Sequence, residues 1–156
     1  MPDELLRQEL PVIGWRERVS LPDLGLAGLK AKIDTGARSS VLHAIAIETC
    51  EQESLTLVRF QVQPQQHHPA PVVATSAPLL DWREVRSSNG LSQQRPTIRT
   101  IVKLGDWQWP IELTLTNRDS MSFRLLLGRE AIRQRFCVDA GRSYLQSDPP
   151  AATDAL

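Results

Sequence analysis

Asp34, Thr35 and Gly36 close an alternating apolar run, and a carboxylate in that setting can do acid–base chemistry on a bound substrate. In 29–34 the apolar Leu29, Ala31 and Ile33 alternate with Lys30, Lys32 and Asp34. That period is the mark of a half-buried strand. An acid at a strand's end is held by a rigid element and faces whatever lies beyond the sheet. Gly36 lets the backbone turn tightly or be approached closely, and the Thr35 hydroxyl can bond neighbouring backbone and lock the turn. Asp-Thr-Gly also has the composition of an ordinary turn, because Asp and Gly dominate turns. The tripeptide therefore needs a second signal.

That signal lies nearly a domain's length later. Phe123–Arg129 reads as an apolar strand, Leu125-Leu126-Leu127, ending in Gly128 directly before a helix. The helix is expected over Gly128–Phe136, with helix formers throughout and basic residues in its last turn. Elsewhere strands dominate. They are expected over Val12–Leu21, Ser40–Glu48, Leu55–Val62 (with a phase slip that suggests a bulge), Val72–Leu80, Trp82–Arg86, Thr97–Leu104 and Trp107–Thr116. In the last of these Trp109, Ile111, Leu113 and Leu115 share a face. Many short strands with one late helix predict an all-β fold, a barrel or sandwich. The organisation expected is a flexible 1–10, one domain over 11–146 and a disordered tail over 147–156.

Taken together, these segments resemble retropepsin-like aspartic peptidases. Those enzymes carry an apolar strand into Asp-Thr-Gly-Ala, then Ser/Thr and apolar residues, then an apolar pair, Gly-Arg and a short helix. Here the matching residues are Ile33-Asp34-Thr35-Gly36-Ala37, Ser39-Ser40-Val41-Leu42 and Leu126-Leu127-Gly128-Arg129. Within that clan the sequence is similar to the bacterial group historically labelled "ATP-dependent zinc proteases", which includes peptidases associated with RimK-type glutamate ligases. The likeness runs from Val12 to Leu145. It includes Gly14-Trp15-Arg16-Glu17, the run from Lys30 to Arg38, Leu42-His43-Ala44, the run from Trp109 to Asp119, and Ser143-Tyr144-Leu145. It implies a small closed retropepsin-like β-barrel and an aspartic endopeptidase with Asp34, Thr35 and Gly36 as its catalytic set; the label's zinc and ATP find no matching motif in the residues, so no cofactor is expected.

Aspartic catalysis needs two carboxylates in one site. Close like charges cannot both ionise easily, so one keeps a proton while the other activates water. With one Asp-Thr-Gly, the second carboxylate is expected from Asp34 of another copy across a two-fold axis. An internal candidate exists: Cys137-Val138-Asp139-Ala140-Gly141-Arg142-Ser143 loosely echoes the Asp34 segment, although it lacks the threonine. The two strands flanking 87–96 are expected to form a flap over substrate. A guanidinium at Arg38 can favour the ionised carboxylate or hold a substrate carboxylate; the plainer alternative is a surface salt bridge to Glu17 or Asp119. Arg38, Arg118 and Arg129, with Ala37, are the expected substrate contacts. They are compatible with an acidic peptide, and the resemblance implies glutamate tails on a protein.

Composition bounds the alternatives. The 156 residues are 41% apolar and 23% charged, which is ordinary for a globular domain. Residues 1–82 carry seven basic and ten acidic side chains, a net −3, and residues 83–142 carry eleven and six, a net +5. That bias is too weak for nucleic-acid binding. No run of about 18 apolar residues exists to span a membrane, and the start lacks the pattern of a signal peptide. A cytoplasmic enzyme with Cys50 and Cys137 as thiols is expected, Cys137 being read as buried and inert beside Phe136. His43, His67 and His68 form no zinc-binding motif, and His43 is read as a core histidine. No Gly-rich phosphate loop and no Gly-x-Ser-x-Gly is present. Trp15, Trp82, Trp107 and Trp109 are read as core or interface residues. The competing readings are a barrel that binds peptide without cutting it, and a partner subunit of an ATP-grasp ligase.

Overall fold

The strands pair so that alternation along each becomes an inside and an outside. The computed structural model describes residues 10–65, 72–86, 89–118 and 122–149. In chain order the elements are β1 Val12–Gly14, β2 Arg16–Leu21, a 3₁₀ turn Pro22–Leu24, β3 Leu26–Asp34, β4 Ser40–His43, β5 Ile45–Gln52 and β6 Leu55–Val62. They continue as β7 Val73–Pro78, β8 Asp81–Arg86, β9 Ser92–Leu104, β10 Trp107–Thr116, β11 Leu125–Gly128, α1 Arg129–Ile132 and β12 Cys137–Asp139.

Strands β10, β4, β11, β3, β2 and β9 neighbour one another in that order, and β9 pairs with β10. The ring is thereby a closed six-stranded barrel, which leaves no open edge within it. Strand β8 adds to β9 outside the ring. A three-stranded sheet, β5-β6-β7, and a parallel pair, β1-β12, complete the fold. The inward faces fill one core. From β10 come Trp109, Ile111, Leu113 and Leu115; from β9 Ile98 and Val102; from β3 Leu29, Ala31 and Ile33, all buried. No helix among the described residues is long and apolar enough to cross a membrane.

Three local expectations change. The strand expected over Val12–Leu21 breaks at Trp15, whose N–H donates to the Arg142 carbonyl (2.9 Å) and whose carbonyl accepts from the Ile33 N–H (2.8 Å). The bulge falls in β5, between Ile45 and Glu48, rather than in its partner β6; Ala46 takes the left-handed φ of 52° there. The helix expected to reach Phe136 stops at Ile132, with Gln134 at a φ of 66°. Tertiary packing overrides propensity here. Phe136 is drawn into the core, its ring 5.2 Å from that of Trp109 and 5.5 Å from that of Trp107.

Candidate active site

Strand β3 delivers Asp34 to the end of the barrel. Ala31 and Ile33 anchor it on the core side, and β11 runs parallel beside it, with Leu127 opposite Ile33 and Gly128 opposite Asp34. Past Asp34 the chain turns at once. The Asp34 Oδ1 accepts the Gly36 N–H at 3.0 Å, and its carbonyl accepts the Ala37 N–H at 3.2 Å. This is an Asx turn built on the acid itself. It fixes one carboxylate oxygen, while Oδ2 has no hydrogen-bond partner among the described residues. Asp34 is half-buried and Thr35 and Gly36 are exposed.

The turn is seated on Gly128. A Cβ there would lie 2.6 Å from the Ser39 carbonyl carbon and 2.9 Å from the Ala37 oxygen, so only glycine fits. Around that seat the backbone is stitched. The Gly128 N–H donates to Ser40 Oγ (3.0 Å), the Arg129 N–H to the Ala37 carbonyl (2.7 Å) and the Glu130 N–H to the Arg38 carbonyl (3.1 Å). The Arg129 Nη1 donates to the Thr35 carbonyl at 3.1 Å. Thus Asp34, Thr35, Gly36, Ala37 and Arg129 come together, with Arg129 serving as a clasp on the loop.

Arg38 is exposed and lines one side of a cleft of about 1020 Å³, whose walls include Ser39, Trp82, Arg83, Arg99 and Glu112. The alternative pairing with Glu17 does not form. Glu17 is fully buried, and its oxygens accept the N–H groups of Gly14 (2.7 Å), Leu145 (2.8 Å) and Gln146 (3.1 Å) and the Ser147 hydroxyl (2.7 Å). Asp119, like His67 and His68, lies outside the described residues. Arg118 is not brought to the Asp34 loop. It follows β10 at the far end of β4, where its N–H donates to Nδ1 of buried His43 (2.9 Å). That bond makes Nδ1 the acceptor and assigns the ring proton to Nε2.

Strand β8 does form a hairpin, but with 92–97 of β9: the return strand begins at Ser92, so 92–96, expected to lie in the loop, are strand, and residues 87–88 of the turn lie outside the described set. Arg83 draws the hairpin towards β10 through Glu112 (2.6 Å) and also meets Asp81 (3.3 Å). The hydrogen bond to Glu112 holds the Arg83 pKa above its ordinary value.

Asp139 repeats the Asp34 architecture in detail. Its Oδ1 accepts the Gly141 N–H at 2.9 Å, and its carbonyl accepts the Arg142 N–H at 3.3 Å. It pairs in parallel with Gly14, where a Cβ would press on the Arg142 carbonyl and come within 2.9 Å of Ser143 Cα. The Trp15 N–H to Arg142 carbonyl bond then matches that of Arg129 to Ala37. The Gly14-Trp15 and Gly128-Arg129 pairs were the signal for this likeness. Cys137, expected to be buried, is exposed, because the β1-β12 pair has an open face. Ser40 and Glu17 lie in segments that carry the family resemblance, but their roles as buried hydrogen-bond anchors are not legible in the sequence. Glu17 shares its strand face with core residues Val19 and Leu21, which was the available sign. Among the described residues no three His, Cys, Asp or Glu side chains group as a metal site.

Two curated relatives bear the name "Probable alpha-L-glutamate ligase". That of Parasynechococcus marenigrum (strain WH8102) is 42% identical over 137 residues, 88% of this chain and 29% of that protein. That of Desulfotalea psychrophila (strain LSv54 / DSM 12343) is 43% identical over 128 residues, 82% of this chain and 28% of the relative. The chain therefore spans less than a third of the length of the curated relatives it matches. A crystal structure of a Legionella pneumophila protein of unknown function matches with a TM-score of 0.73 at 31% identity, over 87% of this chain and 98% of that one. The model of the RimB-like family, described as retropepsin-like aspartic endopeptidase RimB, matches residues 12–149. That span takes in every strand of the barrel and both glycine-seated aspartate turns, and the chain belongs to this RimB-like, retropepsin-like family.

Proposed function

We propose that this chain is an aspartic peptidase that works as a homodimer, with Asp34 of one copy meeting Asp34 of a second. One carboxyl of such a pair stays protonated while the other takes a proton from water, which attacks the peptide carbonyl carbon. The protonated carboxyl stabilises the developing oxyanion, and the pair then returns a proton to the leaving amine. Such a dyad titrates as one unit. The observation that carries the reading is the Asp34 turn: a carboxylate on a core strand, one oxygen held by Gly36, the loop fixed by Gly128 and Arg129. Preorganisation of this kind costs no rearrangement during reaction. The substrate we propose is an acidic protein tail, including one built of glutamate. Arg38 and Arg99 on the cleft support it, as does the name of the curated relatives. The β8–β9 hairpin would cover that substrate.

A second reading is favoured by one observation, that the matched segment is a minor part of the curated relatives. The chain would then serve as a peptide-binding partner of a ligase. Wild type and Asp34→Asn, each incubated with a glutamate-tailed protein and a peptide library with and without chelator, separate the two. The peptidase reading expects chelator-insensitive cleavage by wild type alone, with binding retained in Asp34→Asn. Equal cleavage by both proteins would remove Asp34 from the chemistry.

A further inference from the structure

Strand β9 carries a row of arginines on the face turned away from the core. Register places Arg99 opposite Glu112, Thr97 opposite Thr114, and Arg95 opposite Arg83. Residues directly opposed in an antiparallel ladder share a face, so Arg83, Arg95, Arg99, Glu112 and Thr114 lie on one face, opposite to that of core residues Ile98 and Val102, with Arg95 and Thr114 buried within it. Arg83, Arg99, Glu112 and Thr114 line the cleft, and Arg95 continues their row two residues beyond Thr97.

The charges along this row do not balance. The two carboxylates on it, Asp81 and Glu112, are both engaged by Arg83. Arg95 is only 4% exposed, and among the described residues its one side-chain partner is the Gln93 Oε1, which accepts from Nε at 3.2 Å. Burial lowers its pKa, and nearby Arg118 lowers it further. No carboxylate among the described residues meets it. Buried charges are ordinarily paired, because an unpaired one loses its hydration without return. A guanidinium fork of this kind, backed by a second arginine, matches the geometry of a carboxylate.

We propose that Arg95, seconded by Arg118, is a specificity-determining subsite that takes a side-chain carboxylate of an acidic peptide lying in the cleft. This rests on the cleft being the substrate site, and it gives Arg118 a role remote from the Asp34 loop. The peptide would run from Arg38 along Arg99 to Arg95, so acidic side chains are read at a distance from the bond that is cut.

Binding to uncleaving protein tests this separately from the peptidase reading. Calorimetry would compare Asp34→Asn with Asp34→Asn/Arg95→Met against a short polyglutamate peptide, the same peptide amidated at its C-terminus, and polyglutamine. The expected result is a roughly 10- to 100-fold weaker affinity of the double variant for polyglutamate. Its preference over polyglutamine should disappear, and amidation should change little. Undiminished polyglutamate binding by the double variant would overturn the assignment, as would loss of binding on amidation. If Arg95→Met does not fold, Arg118→Ala in the Asp34→Asn background carries the test. Several-fold weaker polyglutamate binding, with polyglutamine unaffected, is expected there, and unchanged binding would overturn the proposal. Absence of cleavage by wild type would refute the peptidase reading alone and leave these titrations informative.

Discussion

Gly128→Ala should damage stability and activity together, through one methyl group. The added Cβ would stand against the Ser39 carbonyl, 2.6 Å from its carbon, and 2.9 Å from the Ala37 oxygen. Ordinary carbon contacts lie near 3.5–4.0 Å, so the backbone of 37–39 must retreat by roughly 1 Å, and no side-chain rotation can relieve it. The retreat stretches the 2.7 Å bond from the Arg129 N–H to the Ala37 carbonyl and loosens that from Gly128 to Ser40 Oγ. Overpacking costs about 1–3 kcal/mol, and each hydrogen bond lost adds about 1 kcal/mol. A total of about 2–4 kcal/mol corresponds to a fall in Tm of roughly 5–15 °C for a chain of this size. Because the same loop carries Asp34, a displacement of about 1 Å should also lower the cleavage rate about 100-fold. Thermal denaturation followed by circular dichroism, with peptide cleavage measured well below Tm, reads both effects. Gly141→Ala is the control: its nearest neighbour to an added Cβ is Asp139 Oδ1 at an ordinary 3.6 Å, and it should change Tm little. A Gly128→Ala protein with the Tm and rate of wild type would refute the idea that Gly128 seats the Asp34 loop.

Two further substitutions probe the frame behind that loop. Glu17→Ala leaves three backbone N–H groups and the Ser147 hydroxyl without their acceptor, and should cost about 3 kcal/mol or more by urea unfolding. Glu17→Gln should rescue only part of this, since either orientation of the amide turns its NH₂ towards two donors. Trp109→Leu removes the 3.0 Å bond from Nε1 to the Ala131 carbonyl and the tilted ring contact with Phe136. It should cost about 2–4 kcal/mol, and a wild-type unfolding midpoint would contradict the packing described.

Local chemistry was legible in the sequence where one segment determines it. The alternation of 29–34 placed Asp34 at a strand's end, and Leu125-Leu126-Leu127 followed by Gly128 marked the strand beside it. Trp109, Ile111, Leu113 and Leu115 were read onto one face, and all four are buried. His43 was read as a core histidine and is one. What alternation cannot state is which strands meet. Pairing of β4 with β10 and of β3 with β11 is non-local, and so is the packing that draws Phe136 inward and ends α1 early. The same limit hid Glu17, whose hydrogen-bond partners lie mostly some 128–130 positions later in the chain. It also hid the distance between Arg118 and Asp34, because the sequence places Arg118 in a run that resembles the family but not at an end of the barrel. The Asp139 turn was visible as an echo. Its equivalence to the Asp34 turn emerged only from the glycine on which each one rests.

The central claim is that two copies each lend one Asp34 to a single site. Wild-type protein, mixed with Asp34→Asn in varying proportion and left to exchange subunits, tests it most directly. If the dyad is shared, activity follows the square of the wild-type fraction, so an equal mixture at fixed total protein retains about a quarter of the wild-type rate. Activity that instead falls in simple proportion, in protein shown by light scattering to be dimeric, would mean that each chain acts alone and would contradict the shared site.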